Sequence, residues 1–363
     1  MSRNIVLMTP LPPPSGGIGR WAERYINCAK GTGINILVVD ESRRGASFVF
    51  GKKSKLSIFK QFKRNKIIWS DLKNVLVNNK IEVVHCNIPA YTLSMLRELK
   101  SLKIAKKYGV KFVFHFHCTT SNTVKGMLSK HLFKKCLRKS DGVIVLNEKS
   151  KEFAKAICPN ANVEIIPNFV AENELYIERT IHNDIKKILY VGGVVPEKGC
   201  DTIVRVAKQY KNALFVLIGN SSESIIDLVT REKLENIQLL GEQPKEVVER
   251  EMKDSDVFLF LTRFRAEGFS IALTEALGSG LPCIVTDWAA NKEQVGEYAD
   301  MVVVSPNSYQ EVLVALKRIE SKAVRERISA YNIKRVKEKY TEKTVVASYL
   351  SFYENILVGM END

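Results

Sequence analysis

Short apolar runs rich in β-branched residues alternate with segments of helical periodicity along most of the chain. Six such runs in the first half are predicted as strands, at residues 5–8, 34–39, 82–86, 111–116, 142–146 and 164–166. Six more follow, at 188–191, 213–218, 237–239, 257–261, 283–286 and 301–304. Strands that alternate with helices predict parallel sheets with helices on both faces. We therefore expect an α/β chain with two doubly wound parallel-sheet domains.

The two sets of strands are separated by residues 167–184, a polar stretch with little periodicity that we interpret as a linker. This predicts an N-terminal domain over residues 1–170 and a C-terminal domain over residues 185–340. Residues 341–358 are predicted to form a helix that begins with a Thr341 cap. Its apolar stripe consists of Val345, Tyr349, Phe352, Tyr353 and Ile356.

Length and composition are those of a globular protein with two cores. The chain has 363 residues, and no apolar run approaches the ~18 residues of a membrane-spanning helix. The first ten residues hold only a short apolar run, so no signal peptide is predicted. Seven scattered cysteines argue against a disulfide framework or a zinc site, and a reducing cytoplasm is expected.

Charge is distributed unevenly along the chain. Residues 1–170 carry 30 Lys and Arg against 10 Asp and Glu, a balance of +20, whereas the whole chain has a net charge of +15. The remainder is therefore mildly acidic. A basic half predicts a negatively charged partner, which could be anionic lipid, a phosphorylated acceptor or nucleic acid. A solvated surface without a partner is the alternative.

The most informative segment pairs two carboxylates around a glycine turn. Glu267-Gly268-Phe269-Ser270 follows a predicted strand, and Glu275 comes five residues later in an apolar helical segment. The backbone N–H groups of Gly268, Phe269 and Ser270 are predicted to be free donors at a helix start, which makes an anion site. A carboxylate on each side of a phosphate-sized site suits a sugar at one end and a ribose at the other.

This Glu-x7-Glu pattern resembles the signature of retaining glycosyltransferases, most closely glycosyltransferase family 4, whose members have the GT-B fold. The resemblance implies two domains that face each other across a cleft, with the helix 341–358 packing back on the N-terminal domain. It implies transfer of a sugar from a nucleoside diphosphate sugar, with UDP as the favoured nucleotide, to an acceptor hydroxyl with retention. Neither a metal nor a cofactor is expected. Glu267 would contact the transferred sugar and Glu275 the ribose.

The start of the second domain departs from the family pattern. Gly192-Gly193-Val194-Val195-Pro196-Glu197-Lys198-Gly199 resembles the family motif G-R-x-x-x-x-K-G, whose Arg and Lys hold the donor diphosphate. Lys198 matches the Lys, but Gly193 stands where Arg is usual. Arg263 or Arg265 could substitute, backbone amides could hold the diphosphate, or the site could be degenerate. Gly219 resembles a second glycine of the family near the nucleotide.

The loop after the first strand contains Gly16 and Gly17, which allow positive φ and a close backbone approach. A helix is predicted to begin at about Ile18. By the resemblance, this loop lies over the donor phosphates. However, Gly17-Ile18-Gly19-Arg20-Trp21-Ala22 also matches the dinucleotide fingerprint, with Asp40 ending the second strand. A nicotinamide-dependent oxidoreductase is therefore the main alternative, and a non-catalytic polyanion-binding protein is the second.

Two histidines close the fourth predicted strand. His115 and His117 lie two positions apart and share a face of that strand. Members of the family often carry a histidine here that contacts the transferred sugar, and we favour His117 because it is nearer the strand end. His115 is expected to be a packed core residue. The predicted catalytic residues are therefore His117, Glu267 and Lys198.

Two basic stretches of the first domain predict contact with a membrane. Residues 122–140 read as a helix in which Val124, Leu128, Leu132 and Cys136 recur at steps of four among Lys and Arg. Residues 52–69 interleave basic residues with Phe and Trp. Both suit an interfacial segment on anionic lipid. We expect a cytoplasmic protein at the inner face of the membrane, with a lipid-linked or envelope glycan acceptor such as lipopolysaccharide and no nucleic acid partner.

One further motif is set aside. Asp254-Ser255-Asp256 matches the D-x-D metal motif of another glycosyltransferase fold. It precedes a predicted buried strand, where Asp256 is expected to serve as a turn residue.

Overall fold

A computed structural model describes residues 3–12, 16–42, 58–172, 175 and 179–358. The chain divides into two compact units. The first unit contains the described residues up to Asn168 and those from Glu342 onward, and the second runs from Phe169 to Thr341. The boundary between the units lies at the start of the segment interpreted as a linker.

The first unit is built on one six-stranded parallel sheet. Its strands are β1 (Arg3–Thr9), β2 (Ile34–Asp40), β3 (Val83–Ile88), β4 (Lys111–Phe116), β5 (Gly142–Val145) and β6 (Val163–Ile165). Its helices are α1 (Gly17–Cys28), α2 (Ile58–Asn78), α3 (Thr92–Lys107), α4 (Thr120–Thr123), α5 (Met127–Lys139) and α6 (Glu148–Ile157). The strand order is β2-β1-β3-β4-β5-β6. Successive strands are therefore added on one side of β1 and then, from β3 onward, on its other side.

The second unit repeats this plan. Its strands are β7 (Lys187–Val191), β8 (Leu214–Ile218), β9 (Ile237–Gly241), β10 (Val257–Phe260), β11 (Cys283–Thr286) and β12 (Val303–Val304). Its helices are α7 (Cys200–Gln209), α8 (Glu223–Arg231), α9 (Lys245–Asp254), α10 (Ile271–Gly278), α11 (Asn291–Val295), α12 (Ala299–Val302), α13 (Tyr309–Arg318) and α14 (Lys322–Lys339). The order β12-β11-β10-β7-β8-β9 reverses between β7 and β10.

The predicted parallel sheets are confirmed, and most strand ends agree within one or two residues. The clearest difference is at residues 301–304, where only Val303–Val304 is a strand and the preceding Ala299–Val302 is helical. A short apolar run carries no information that separates a buried strand from a buried helical turn. Central strands of both sheets are fully buried, as parallel strands covered on both faces must be.

Helix α15 (Glu342–Val358) belongs to the first unit, although it follows the second unit in the chain. Five members of its stripe are buried: Val345, Tyr349, Phe352, Tyr353 and Ile356. Tyr349 and Tyr353 pack on α1, where the ring centroids of Tyr25 and Tyr349 lie 5.0 Å apart. Gly142 at the start of β5 leaves room for this helix, because a Cβ there would lie 2.5 Å from the Phe352 ring.

The predicted helix over residues 122–140 is wrong at its start. Thr120–Thr123 forms a separate turn of helix, and α5 begins at Met127 after an extended Gly126. Val124, Leu132 and Cys136 are buried in the unit, and only Leu128 of the predicted apolar stripe is exposed. The stripe therefore serves the core of the domain. Within the described part of the chain, no helix is long and apolar enough to cross a membrane.

Candidate functional site

Lys198 and Glu267 meet at the carboxyl edge of the second sheet. Lys198 follows β7 and Glu267 follows β10, the two neighbouring strands between which the strand order reverses. Ligands of open α/β sheets bind at such a switch point. Nζ of Lys198 lies 2.5 Å from Oε2 of Glu267, and Thr262 Oγ1 donates to the same oxygen at 3.2 Å. The side chains are 15% and 11% exposed, so the pair is partly shielded but reachable.

Two glycines lie in the loops that follow β7 and β8. Gly219 has φ +136°, and a Cβ there would lie 1.9 Å from the carbonyl oxygen of Gly192. Gly199, directly after Lys198, has φ +82°, and its Cβ would lie 2.0 Å from the Leu261 carbonyl oxygen. Only glycine fits either position, because the backbones approach too closely for any side chain. The approach of Gly199 to Leu261 places the Lys198 loop against the residue that follows β10.

Arg263 does not take the place of the Arg that is missing at position 193. The guanidinium of Arg263 donates to both carboxylate oxygens of Asp201, at 2.9 and 2.8 Å. A bidentate pair of this kind fixes the guanidinium. Arg265 is exposed. The carbonyl oxygen of Gly193 itself accepts a hydrogen bond from the Tyr190 hydroxyl at 2.9 Å.

Helix α10 starts after Glu267, as predicted, but its backbone donors differ from the prediction. Ser270 is the N-cap, and its hydroxyl accepts from Leu273 N. The N–H of Ser270 donates to Oε1 of Gln294 at 3.2 Å, so it is not the free donor that the sequence predicted. A buried glutamine from a distant segment supplied a partner that the local sequence could not reveal.

The other members of this segment are packed in different ways. Phe269 is 5% exposed, and its ring lies edge-on to Tyr340 at 5.0 Å. Gly268 is buried, and its carbonyl oxygen accepts from Ala290 N. Glu275 lies on α10 and is half-buried. Its partial exposure leaves the carboxylate able to meet a ligand.

His117 stands at the carboxyl edge of the first sheet, directly after β4. Its Nε2 lies 2.9 Å from Oδ1 of Asn87, and its backbone N–H donates to the carbonyl of Ile88. The ring is half-buried. Desolvation, followed by the influence of His85, lowers its pKa well below the ordinary histidine value. His117 is therefore a neutral imidazole at physiological pH.

His115 is a packed core residue, as the sequence predicted. It is fully buried, and its Nδ1 lies 3.1 Å from Nε2 of His85. Burial lowers the pKa of His115 well below the ordinary value and that of His85 to about 3. The His85 ring stacks on Trp21, whereas the rings of His115 and His117 meet Trp21 edge-on.

The glycine loop of the first unit leads into the helix predicted at about Ile18, without the positive φ that its glycines permit. Gly16 is extended, with φ −162°, and positive φ is recorded at neither Gly16 nor Gly17. Helix α1 begins at Gly17, one residue before the predicted start, so Gly17 and Gly19 lie within the helix. Both glycines at 16 and 17 are exposed, and a Cβ at either would meet nothing within 4 Å.

This position of α1 argues against the dinucleotide fingerprint at Gly17–Ala22. The glycines of that fingerprint form the turn that precedes the helix, whereas here the pattern is inside the helix. Asp40, the expected ribose ligand, uses its carboxylate locally, where it accepts from Leu11 N, Ser42 N and Ser42 Oγ.

Asp256 of the D-x-D triplet is a structural carboxylate. It accepts from the backbone N–H groups of Lys186 and Lys187 at 2.8 and 2.9 Å, and it lies 2.8 Å from Nδ1 of His182. These bonds tie the start of β7 to β10.

Sequence reasoning missed three polar groups of the two edges, Thr262, Asn87 and Thr9. Thr262 bonds Glu267, while Asn87 joins His117 to Thr9, whose hydroxyl lies 3.1 Å from the Asn87 amide nitrogen. All three come at or just after the end of a strand. Their position at strand ends near a switch point could have identified them from the sequence. The third strand was predicted to end at residue 86, one residue before Asn87.

Comparisons with known proteins agree on one family. The model described as "Glycosyl transferases group 1" matches residues 173–335, and "Glycosyltransferase Family 4" matches residues 15–174. A comparison with curated proteins found no match. The resemblance to glycosyltransferase family 4 that the sequence indicated is confirmed.

Solved structures give the same fold at low sequence identity. Sucrose-phosphate synthase from Thermosynechococcus elongatus is 15% identical, over 98% of this chain and 100% of that chain, with a TM-score of 0.80. Anabaena HepE in complex with UDP and glucose is 13% identical over 97% and 100%, at 0.70. The lipopolysaccharide outer core galactosyltransferase WaaB is 18% identical over 99% of both chains, at 0.66. The chain belongs to the GT-B glycosyltransferases of group 1 and family 4.

Proposed function

We propose that the protein is a retaining glycosyltransferase that moves a sugar from a nucleoside diphosphate sugar to an acceptor hydroxyl. The observation that carries this proposal is the Lys198–Glu267 pair at the switch point of the second sheet. A cation for the diphosphate and a carboxylate for sugar hydroxyls stand 2.5 Å apart there. Such proximity suits a substrate in which phosphate and sugar are directly bonded.

Without substrate, the charges of Lys198 and Glu267 balance each other in the site. Lys198 neutralises Glu267, and its ammonium also lies 4.8 Å from the centre of the Phe264 ring. A diphosphate carries more negative charge than one carboxylate, so it competes for Lys198 when it binds. Glu267 is then released to accept hydrogen bonds from hydroxyls of the sugar.

Two helix N-termini contribute to the donor site. Helix α7 begins two residues after Lys198, and α10 begins four residues after Glu267. Helix N-termini carry partial positive charge and favour phosphate. With Gly193 in place of the usual Arg and Arg263 held by Asp201, Lys198 and backbone dipoles carry the diphosphate in this proposal.

The proposed reaction breaks the bond between the anomeric carbon and the diphosphate oxygen, and it forms a bond from that carbon to the acceptor oxygen. Attack occurs on the face from which the diphosphate departs, and a phosphate oxygen takes the acceptor proton. Lys198 and the helix N-termini stabilise the charge on the leaving group. Neither a metal nor another cofactor enters this mechanism. Glu275 accepts the ribose hydroxyl pair.

UDP is the preferred donor nucleotide in this proposal. Support comes from neighbours whose structures hold it, such as HepE with UDP and the E. coli trehalose-6-phosphate protein with UDP-2-fluoro glucose. A thermal-shift panel of UDP, GDP, ADP, CMP and NADH tests this, because ligand at 100 times its dissociation constant adds ~2.7 kcal/mol. We expect a shift with one nucleoside diphosphate, and with UDP first.

Matched variants make the panel decisive. Lys208 forms an ion pair with Glu232 at 2.6 Å on the same unit, away from the switch point, so Lys208→Ala controls for loss of a paired lysine. We expect Lys198→Ala and Glu275→Ala to lose the nucleotide shift and Lys208→Ala to keep it. A full shift and normal turnover in Lys198→Ala would refute the donor site, and a shift with NADH alone would favour the oxidoreductase.

We also propose a lipid-linked or envelope glycan acceptor, reached by peripheral binding to the cytoplasmic face of the membrane. At the start of α5, Met127 is 91% exposed and Leu128 is 60% exposed. Six exposed cations flank them: Lys125, Lys130, Lys134, Lys135, Arg138 and Lys139. Basic residues near an anionic surface add ~1 kcal/mol each. The lipopolysaccharide outer core galactosyltransferase WaaB has the same fold.

Vesicle binding tests this second part. We expect binding to vesicles with anionic lipid that weakens as salt rises and falls in Met127→Ser/Leu128→Ser and in Lys134→Glu/Lys135→Glu. Lys334→Glu/Lys337→Glu, on α14 of the second unit, changes net charge equally and serves as the control. Equal loss in all variants would mean nonspecific charge attraction, and unchanged binding at high salt would refute the electrostatic contact.

A further inference from the structure

The histidine at the edge of the first sheet is held by a chain of polar side chains across the switch point. Thr9 ends β1, Asn87 is in β3 next to its end, and His117 follows β4. These three strands are neighbours in the order β1-β3-β4. Nδ2 of Asn87 donates to Thr9 Oγ1 at 3.1 Å, and Oδ1 of Asn87 lies 2.9 Å from Nε2 of His117.

The hydrogen-bond chain sets the tautomer of the imidazole. In the orientation of the Asn87 amide seen here, with Nδ2 on Thr9, the carbonyl oxygen faces His117 and can only accept, so the nitrogen that faces it carries a proton. A neutral imidazole has one protonated nitrogen. With Nε2 protonated, Nδ1 of His117 has a lone pair and can only accept. Thr9 and Asn87 are 0% and 1% exposed, so water does not compete for this arrangement.

The accepting nitrogen has no partner among the residues that the structure describes. Among the described residues, none forms a hydrogen bond with Nδ1 of His117, although the ring is partly exposed. Beside it, His85 bonds both His115 and the Tyr353 hydroxyl, whereas Nε2 of His115 and Nε1 of Trp21 are buried without a partner among the described residues. Those two atoms are enclosed in the core, so the atom of this cluster on the half-buried residue is the accepting Nδ1 of His117.

We propose that Asn87 is a positioning residue that fixes His117 as the Nε2–H tautomer, so that Nδ1 accepts a hydrogen bond from a hydroxyl of a substrate sugar. The assignment of a sugar hydroxyl rests on the proposed function. Without Asn87, the Nδ1–H tautomer becomes accessible and presents a donor where the substrate requires an acceptor. Thr9 acts one step further away, because its hydroxyl accepts from the Nδ2 end of the Asn87 amide and so satisfies the end that faces away from His117.

The tautomer can be measured directly, without turnover. The chain has five histidines, so ¹⁵N-histidine labelling gives a sparse spectrum in which ring nitrogen shifts distinguish Nδ1–H from Nε2–H. We expect His117, assigned through His117→Gln, to be Nε2–H in the wild type and a mixture in Asn87→Ala. An Nδ1–H wild type, or an unchanged tautomer in Asn87→Ala, overturns the proposal even if the protein proves not to be a glycosyltransferase.

Turnover supplies the second readout. We expect Asn87→Ala to lower kcat about tenfold while UDP, which lacks the sugar, binds with unchanged affinity. In Asn87→Asp, the carboxylate favours the imidazolium, so activity should fall as pH decreases over a range where the wild type is flat. Asn147→Asp alters a different buried asparagine, whose side chain bonds Thr119 Oγ1 and the backbone N–H of Ser150, and its pH profile should stay flat.

The variants separate positioning from folding. If Asn87→Ala fails to fold, Thr9→Val, which keeps the side-chain shape, takes its place, and the tautomer of the wild type still decides the first prediction. A wild-type kcat in a folded Asn87→Ala refutes the role of Asn87. If no nucleotide sugar is turned over by the wild type, the proposed function fails while the tautomer measurement remains interpretable.

Discussion

The hydroxyl of Tyr353 on α15 lies 2.6 Å from Nδ1 of His85 on β3 and 3.0 Å from the hydroxyl of Tyr25 on α1. All three side chains are fully buried. A helix that the chain completes after its second unit thus supplies the polar partner for a buried histidine of the first sheet. Buried polar groups without partners cost ~1–3 kcal/mol, so this bond matters for stability.

Tyr353→Phe is therefore expected to destabilise the first unit by ~1–3 kcal/mol, since it leaves His85 and Tyr25 without their shared partner. Tyr349→Phe is the control, because the Tyr349 hydroxyl is buried without a partner among the described residues. It should be neutral or stabilising. Urea unfolding followed by tryptophan fluorescence compares the two, and an equal effect would show that the hydrogen bonds contribute nothing.

Glu41 predicts a specific dependence of stability on pH. The carboxylate is 2% exposed, and burial together with nearby Glu98 raises its pKa from 4.5 to about 8, despite Arg97 and Arg64. Between those values the unfolded chain releases the proton that the folded protein keeps. The folded state therefore loses stability relative to the unfolded state as pH rises through this window.

Glu41→Gln removes this term, so the variant should gain stability relative to the wild type as pH rises from 5 to 8. Unfolding free energies at three pH values in that window measure the difference. Glu338→Gln, on an exposed side chain of α14, corrects for the loss of one negative charge. A constant difference between Glu41→Gln and wild type would mean that Glu41 is ionised throughout.

The Lys198–Glu267 pair predicts opposite effects on nucleotide affinity. Glu267→Gln removes the partner that competes with the diphosphate for Lys198, so UDP should bind more tightly, by up to about tenfold, equivalent to ~1.4 kcal/mol. Lys198→Ala should bind UDP more weakly, and turnover should fall in both variants. Titration calorimetry gives the affinities. Weaker binding in Glu267→Gln would place the carboxylate in contact with the nucleotide itself.

Gly219→Ala tests the close approach of two loops beside that pair. The new Cβ would stand 1.9 Å from the Gly192 carbonyl oxygen. Overpacking of this kind adds ~1–3 kcal/mol to the cost of a positive φ. Gly31→Ala is the control, since Gly31 has φ +81° with nothing within 4 Å. Thermal unfolding should rank Gly219→Ala well below Gly31→Ala, and equal losses would exclude the steric term.

Periodicity predicted the fold because parallel strands buried on both faces are continuous apolar runs. It also placed Lys198 and Glu267 after their strands, and the structure brings them together at the reversal of strand order. The pairing of Asn87 with His117 was not predictable, since it depends on which strands are neighbours. Ser270 shows the same limit, as Gln294 lies 24 residues away in the chain.

The basic helix shows a different limit of sequence analysis. Apolar residues at steps of four indicate a buried face, but the spacing does not say whether a protein core or a lipid surface covers it. In the structure Leu132 and Cys136 face the core, while Leu128 does not. Likewise, adjacent glycines permit positive φ without requiring it, and Gly16 is extended.

The place of α15 has a consequence for the order of synthesis. Strands β1–β6 leave the ribosome before the second unit, yet the helix that covers Trp21, Tyr25 and His85 is made after it. During translation the first unit must wait with this apolar surface uncovered, whereas the second unit has all its elements as soon as Thr341 emerges. A chain truncated after residue 341 should therefore hold a native second unit beside an incomplete first one, which makes the packing of α15 the last step in completing the first unit.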